Sequence, residues 1–210
     1  LYGGTKLCSD KLFIAANNIV GSEDIRFSVV RYGNVMGSRG SVIPFFINQA
    51  KKGSLPITSN KMTRFNISLD QGVDMVMWAI FNSLGGEIFV PKIPSYRILD
   101  LAEAIAPSVK TNLVGIRPGE KIHEEMINES DSFNTYELDN RYLAIFPSES
   151  DLFSKYSNSG RLLKKFSEGS SYNSGTNPHF LTIDELRDLI IKNVDKDFKP
   201  IGKLLIFTIN

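Results

Sequence analysis

Cysteine occurs once, histidine twice and tryptophan once in these 210 residues. A lone thiol excludes an internal disulfide framework and any cysteine-rich metal site, and two histidines without paired carboxylate spacing make a poor metal centre. Cys8, between Leu7 and Leu12, reads as a packing residue. No apolar run approaches the roughly 20 residues that cross a bilayer, and no signal-peptide pattern stands at the start. A formal net charge of +1 leaves no bulk attraction for nucleic acid or an anionic membrane surface. The 42% apolar and 22% charged content is that of an ordinary core-forming chain. These exclusions leave a soluble protein, expected in the cytoplasm, with ample chain for a sizeable core.

What is present alternates. A helix is expected over residues 3–18, a strand over 26–32, a glycine-rich loop over 33–41 and an amphipathic helix over 42–52, with Pro44 in its tolerant first turn. Extended pieces at 55–58 and 65–69 precede a helix capped by Asp70 and running to about Ser83. Gly85-Gly86 turns into a strand at 87–90, followed by a helix at 98–106, a strand at 112–116 and a helix at 120–126. Strands separated by helices imply crossover units and a mainly parallel sheet. The fold class is therefore α/β: the C-terminal part of a Rossmann-like doubly wound sheet plus a smaller α/β substrate-binding lobe. Residues 128–180, rich in Ser, Asn, Asp and Gly, read as an extended arm with limited core. Thr182 and Glu185 form a capping-box pattern that opens a last helix over 182–193. The apolar ending Leu204–Asn210 has no evident role. As domains, residues 1–60 form a nucleotide-binding remnant, 61–130 an interleaved substrate lobe with the final sheet elements, and 131–210 a C-terminal arm.

Four clusters carry chemistry. Tyr2 and Lys6 lie one helical turn apart and share a face. An ammonium there favours an ionised phenol and lets it transfer protons near neutral pH, although such a pair also arises by chance. The second cluster is the loop Gly33–Ser41, at the carboxyl end of a strand. Glycine lets backbone approach a ligand there, Asn34 offers donor and acceptor, and Arg39 a fork for phosphate. The alternative is a tight turn with a solvated arginine. The third, Met62–Ile67, centres on Arg64, otherwise a surface arginine. In the fourth, Arg117-Pro118-Gly119-Glu120, an arginine ends a strand and a carboxylate starts a helix, where Glu120 can accept from ribose hydroxyls; an ordinary Pro-Gly turn is the alternative. Three arginines in loops after strands suit a diphosphate-sugar ligand. His123 lies near Glu120 and can pack near such a ligand, while His179 falls in the arm.

Taken together, Tyr2-x-x-x-Lys6, Ser28–Val35, Gly37–Val42, Met62–Phe65 and Arg117–Lys121 resemble the extended short-chain dehydrogenase/reductase superfamily. Phe89–Ser95 and Asn134–Glu137 are similar to its PseB-type UDP-N-acetylglucosamine 4,6-dehydratases (inverting), over about residues 1–190. The resemblance implies an NADP enzyme acting on UDP-N-acetylglucosamine. Hydride leaves sugar C4 for the cofactor, water is lost across C5–C6, and hydride returns to C6 with inversion at C5. The implied product, UDP-2-acetamido-2,6-dideoxy-β-L-arabino-hex-4-ulose, feeds pseudaminic acid synthesis and flagellin glycosylation. By position, Tyr2 transfers protons and contacts the cofactor, and Lys6 holds the nicotinamide ribose. Val35, Met36, Gly37, Ser38 and Arg39 line NADP, Asn34 touches the sugar nucleotide, and Arg64, Arg117 and Glu120 bind the UDP part. No metal, membrane or nucleic acid is implied, and relatives assemble as homo-oligomers. The Gly-x-Gly-x-x-Gly dinucleotide loop and the Thr-Asp-Lys segment that precedes the tyrosine are absent from these residues. With no initiator Met before Leu1, an N-terminally truncated and inactive fragment is the expectation. Gly4 stands where alanine is commoner, a loss of helix propensity only. A UDP-sugar 4-epimerase, a retaining or membrane-anchored 4,6-dehydratase and a non-catalytic sugar-nucleotide binder are the alternatives.

Overall fold

The computed structural model describes the backbone of residues 2–147, 151–161 and 163–202, and their side chains from residue 4 onward. From the start the chain forms α1 (Tyr2–Ala16), β1 (Val29–Val30), α2 (Val42–Ala50), β2 (Ser54–Ile57), β3 (Thr63–Phe65), α3 (Leu69–Asn82), β4 (Ile88–Pro91) and β5 (Ser95–Arg97). It continues through α4 (Ile98–Ile105), β6 (Lys110–Leu113), β7 (Glu125–Ile127), α5 (Glu129–Ser132), β8 (Thr135–Leu138), β9 (Tyr142–Ile145), α6 (Leu152–Asn158), β10 (Lys164–Lys165), β11 (Tyr172–Asn173) and α7 (Ile183–Asn193). Two units interleave along it. One comprises Leu1–Tyr32, Asp70–Lys92 and Glu125–Tyr172; the other comprises Gly33–Leu69, Ile93–Glu124 and Asn173–Asn210. The expected blocks, divided at residues 60 and 130, follow the chain, whereas these units cut across it. The tail 204–210 and the Tyr2 side chain lie outside the described residues.

The first unit is built on a five-stranded sheet in the order β1-β4-β9-β8-β10. Only β1–β4 pairs in parallel; β4–β9, β9–β8 and β8–β10 are antiparallel, so the expected mainly parallel sheet is mixed. Strands β4 and β9 are buried along their whole length, the pattern of a sheet covered on both faces. Met75 and Ala79 of α3 pack with Phe89, Leu138, Tyr142 and Tyr156, and Trp78 sits edge-on to Phe89 at 5.3 Å between ring centres. The arm expected to have limited core thus supplies most of this one. Its β9 is a short apolar run between polar stretches, and such a run is stable only when strands on both sides cover it.

Two charged groups of this unit are each held by several partners. Glu87, fully buried, accepts from the Ser28 hydroxyl at 2.7 Å, the Tyr156 hydroxyl at 2.8 Å and the backbone N–H groups of Leu84 and Gly85. Burial, then the neighbouring Glu87 charge, push the Tyr156 phenol far above its ordinary value, so it stays a donor. Arg31, one residue past β1, reaches Asp10 of α1 at 3.0 Å, Asp131 of α5 at 3.2 Å and the Met126 carbonyl at 2.7 Å. Asp10 lies four residues beyond Lys6, so this ion pair fixes the helix that carries Tyr2 and Lys6. Cys8 is exposed rather than packed, because Leu7, Leu12 and Phe13 beside it on α1 are also uncovered.

In the second unit α2, α4 and α7 enclose one core, including Phe46, Leu55, Ile57, Leu101, Ile105, Leu186 and Ile190. Strand β2 pairs in parallel with β6, and β3 antiparallel with β5. The capping box is formed: Thr182 accepts from the Glu185 N–H and Glu185 accepts from the Thr182 N–H. The helix expected at 120–126 is not formed. Gly119 has φ +80°, outside helical space, and the Ile122 carbonyl accepts from the Thr63 N–H at 3.0 Å, tying the segment to β3 before it enters β7.

Replacing Glu87 by Ala removes the buried acceptor of four donors, and chemical denaturation should show a loss of about 3 kcal/mol. Backbone and hydroxyl bonds from Thr182 hold the Glu185 carboxyl below the usual carboxylate range. Its support of α7 is therefore present above that range and lost as pH falls through it. Amide exchange at Thr182 should quicken on acidification, and it should do so less in Glu185→Gln.

Candidate functional site

Strand β3 positions the central side chain. Alternation buries Thr63 and Phe65 and turns Arg64 to the opposite face. Gly33 makes this possible, since a Cβ there would fall 2.6 Å from that of Phe65. The Arg64 guanidinium, largely buried, donates to the carbonyls of Thr63 at 2.7 Å and Ile122 at 3.1 Å. Its Nε lies 3.3 Å from Glu124 and its other terminal nitrogen 3.9 Å from Glu120. Five fixed donors on a planar fork lose little freedom when they meet an anion, so this arginine is held ready for one.

Behind it lies a buried hydroxyl pair. Thr63 Oγ1 is 2.7 Å from Ser174 Oγ and 2.8 Å from His123 Nδ1, and the Glu124 N–H donates to Ser174 Oγ at 2.9 Å. The carboxylate that grips Arg64 and the strand that carries it are thus keyed to each other. Gly175 leaves room for the His123 ring, where a Cβ would come within 2.6 Å.

Arg117-Pro118-Gly119-Glu120 is a closed turn. Glu120 N–H donates to the Arg117 carbonyl at 3.0 Å, and the Glu120 carboxylate accepts from the Arg117 N–H at 3.3 Å. Proline second and a positive-φ glycine third is the type II pattern. The Arg117 side chain is exposed, with no ion-pair partner among the described residues.

Arg64, Arg117 and Glu120 line one cavity of about 430 Å³ together with Asn34, Val35, Met36 and Gly37. Ser38 and Arg39 are exposed on the same loop and do not line it. Lys6 is exposed on α1, in the other unit, and the Tyr2 side chain lies outside the described residues. The cavity also holds residues that sequence reasoning passed over: Ser41, Phe45, Thr58, Asn66 and Tyr96. Burial pushes the Tyr96 phenol well above its ordinary value; Arg64 pulls it down and Glu124 pushes it up, and it stays neutral. Nothing local marks Ser174, which meets Thr63 across 111 residues of chain. Among the described residues no cluster of His, Cys, Asp or Glu could hold a metal ion, and no helix is long and apolar enough to cross a membrane.

Thr63→Val keeps the volume and removes the hydroxyl. Stability should fall by about 1 kcal/mol in denaturant, and the Arg64 Nε–H should exchange faster with solvent by NMR; Thr63→Ser should restore both.

Comparison with known proteins places this arrangement. A family model described as polysaccharide biosynthesis protein matches residues 1–145. A UDP-N-acetylglucosamine 4,6-dehydratase (inverting) of Campylobacter jejuni is 52% identical over 198 residues, 90% of this chain and 58% of that protein. A UDP-glucose 4-epimerase of Rickettsia bellii is 36% identical over 92% of this chain and 57% of its own length. Among solved structures, Pen from Bacillus thuringiensis superposes with a TM-score of 0.78 at 34% identity, over 91% of this chain and 57% of that one. The chain therefore spans under three-fifths of the length of these relatives, and its fold is Rossmann-like α/β. With the family model matching well over half of its residues, the chain belongs to the polysaccharide biosynthesis protein family.

Proposed function

We propose that this chain is the sugar-nucleotide-binding portion of an inverting UDP-N-acetylglucosamine 4,6-dehydratase. The observation that carries the reading is the convergence of Arg64, Arg117, Glu120 and Asn34 on one cavity, in a chain 52% identical to a dehydratase of that name. A preorganised Arg64 and an unpaired Arg117 suit the two phosphates of UDP, Glu120 suits ribose hydroxyls, and Asn34 the sugar. NADP would be held by Tyr2, Lys6 and the segment Val35, Met36, Gly37, Ser38 and Arg39. Arg39, exposed and without an ion-pair partner among the described residues, fits an anionic cofactor. When bound, the nicotinamide supplies the reversible hydride store that the dehydration requires. Tyr2 would carry the proton of the C4 hydroxyl, with Lys6 beside it holding the ribose.

The product would be UDP-2-acetamido-2,6-dideoxy-β-L-arabino-hex-4-ulose, made in the cytoplasm by a homo-oligomer of full-length subunits, for pseudaminic acid and flagellin glycosylation. The relative named UDP-glucose 4-epimerase supports a second reading, since an epimerase shares the same binding needs. Mass spectrometry of UDP-N-acetylglucosamine incubated with a version extended to the relatives' length separates the two. A dehydratase gives a 4-keto-6-deoxy sugar lighter by one water, and an epimerase an isomer of unchanged mass. The 210-residue chain itself should bind the nucleotide sugar without turning it over. Turnover by the chain alone would show that these 210 residues suffice for catalysis.

A further inference from the structure

Ser41 stands at the N-cap of α2 without capping it. Its backbone is extended, at φ −73° and ψ 167°, as an N-cap residue requires, yet its side chain makes no cap hydrogen bond. Part of the reason is local. An N-cap hydroxyl bonds the N–H of the second or third helical residue, and the third here is Pro44, which has none. The Ser41 Oγ is buried and has no hydrogen-bond partner. Among the described residues, one nitrogen of Arg31 and one of Arg161 share that condition, but both guanidiniums are bonded through their other nitrogens. The Ser41 side chain has no second polar atom to fall back on. It lines the cavity that Arg64 and Arg117 line, and so do Val42 and Ile43. These two residues open α2, and the first N–H groups of a helix have no acceptor within it. Part of the cavity lining is therefore a helix start that carries an uncommitted hydroxyl, which turns about a single staggered bond.

We propose that Ser41 is a phosphate-binding residue of this cavity, its hydroxyl donating to an oxygen of the ligand's diphosphate beside the N–H groups of Val42 and Ile43. The inference rests on the nucleotide-sugar reading and adds a residue to it. A hydroxyl and helix-start N–H groups are donors, and the positive end of the α2 dipole favours negative charge at the same place. An acceptor with charge spread over several oxygens answers all of them. A sugar hydroxyl answers them less well, since it brings a proton that needs an acceptor of its own. The carboxylate in the cavity, Glu120, is engaged by Arg64 at 3.9 Å and by the Arg117 N–H at 3.3 Å. A cofactor's phosphates are a second source of the same chemistry. Arg64 and Arg117 line this cavity and Arg39 does not, which favours the nucleotide sugar. Neutral donors also complement the two guanidiniums, because they add bonds without adding charge that must be desolvated. A hydroxyl that holds no bond before binding gains one without giving one up.

The test uses the 210-residue chain with Ser41→Ala, Ser41→Thr and Arg64→Ala, and calorimetric titration of UDP, UDP-N-acetylglucosamine, NADP⁺ and inorganic pyrophosphate. Arg64→Ala should weaken both uridine ligands, which checks the nucleotide-sugar reading by itself. Ser41→Ala should weaken the same two by an equal factor, about tenfold to a hundredfold, and Ser41→Thr, which keeps the hydroxyl, should restore them. Without ligand, Ser41→Ala should melt at the parent's temperature or higher, because no cap bond is lost and an unpaired hydroxyl is removed; a working serine cap would lose stability. Unchanged affinity, or a lowered melting temperature, overturns the role of Ser41 while leaving Arg64 in place. A loss confined to UDP-N-acetylglucosamine points to the sugar and a loss confined to NADP⁺ to the cofactor, and either overturns the assignment to the diphosphate. Pyrophosphate separates the two readings. If the parent takes it but no uridine ligand, the nucleotide-sugar reading fails, and Ser41 stands only if Ser41→Ala loses pyrophosphate. If the parent takes neither, both fall.

Discussion

The guanidinium of Arg64 is held before any ligand arrives. Two backbone carbonyls and two carboxylates fix it, and every one of those partners comes from Thr63 itself or from the segment ending in Glu124. A surface arginine would spend much of its binding energy on ordering a long side chain. Here the ordering is done during folding, by β3 pairing with β5 and by the Thr63–Ser174 hydroxyl contact behind the strand. Much of the second unit's architecture serves this. Its three helices build the apolar core that Tyr96 of β5, the partner of β3, joins, and α7, with its double cap, is one of the three.

The flanking carboxylates explain a second property. Glu120 and Glu124 set two negative charges against the one on Arg64, so the guanidinium can lie largely buried without the penalty of an isolated ion. Arg117 has no such partner among the described residues and stays exposed at the cavity. The two arginines thus offer an anion different things: one fixed and already compensated, one mobile and uncompensated. The first favours orientation and the second attraction. The first unit handles charge by the same rule. Glu87 is buried because four donors meet it, and Arg31 because two carboxylates and a carbonyl do.

Legibility followed locality. The capping box, the Pro44 helix start and the α4 helix rest on contacts within one or two turns, and residue spacing shows those. Arg64, Arg117 and Glu120 stood out because charged side chains in loops after strands are chemically conspicuous. The residues that support them are plain. Ser174 sits in a stretch read as arm, and Asn66 in a stretch read as strand. Tyr142–Ile145 was visible only as an apolar island, since nothing near it in sequence reveals that β4 and β8 will flank it. The helix expected at 120–126 failed for a tertiary reason as well, because β3 claims the Ile122 carbonyl.

Residue types and spacing were enough to establish an α/β chain without a disulfide, a histidine-rich metal site or a membrane-length apolar run, and to mark the cationic groups that meet an anionic ligand. These are properties of short segments, and a segment of a few residues carries its own propensity and charge. Which strands pair and which polar groups are buried depend on residues up to 111 positions apart coming together. Burial has no local signature: Asn34 and Asn66 are the same residue type lining one cavity, and only packing leaves the first exposed and the second 4% exposed.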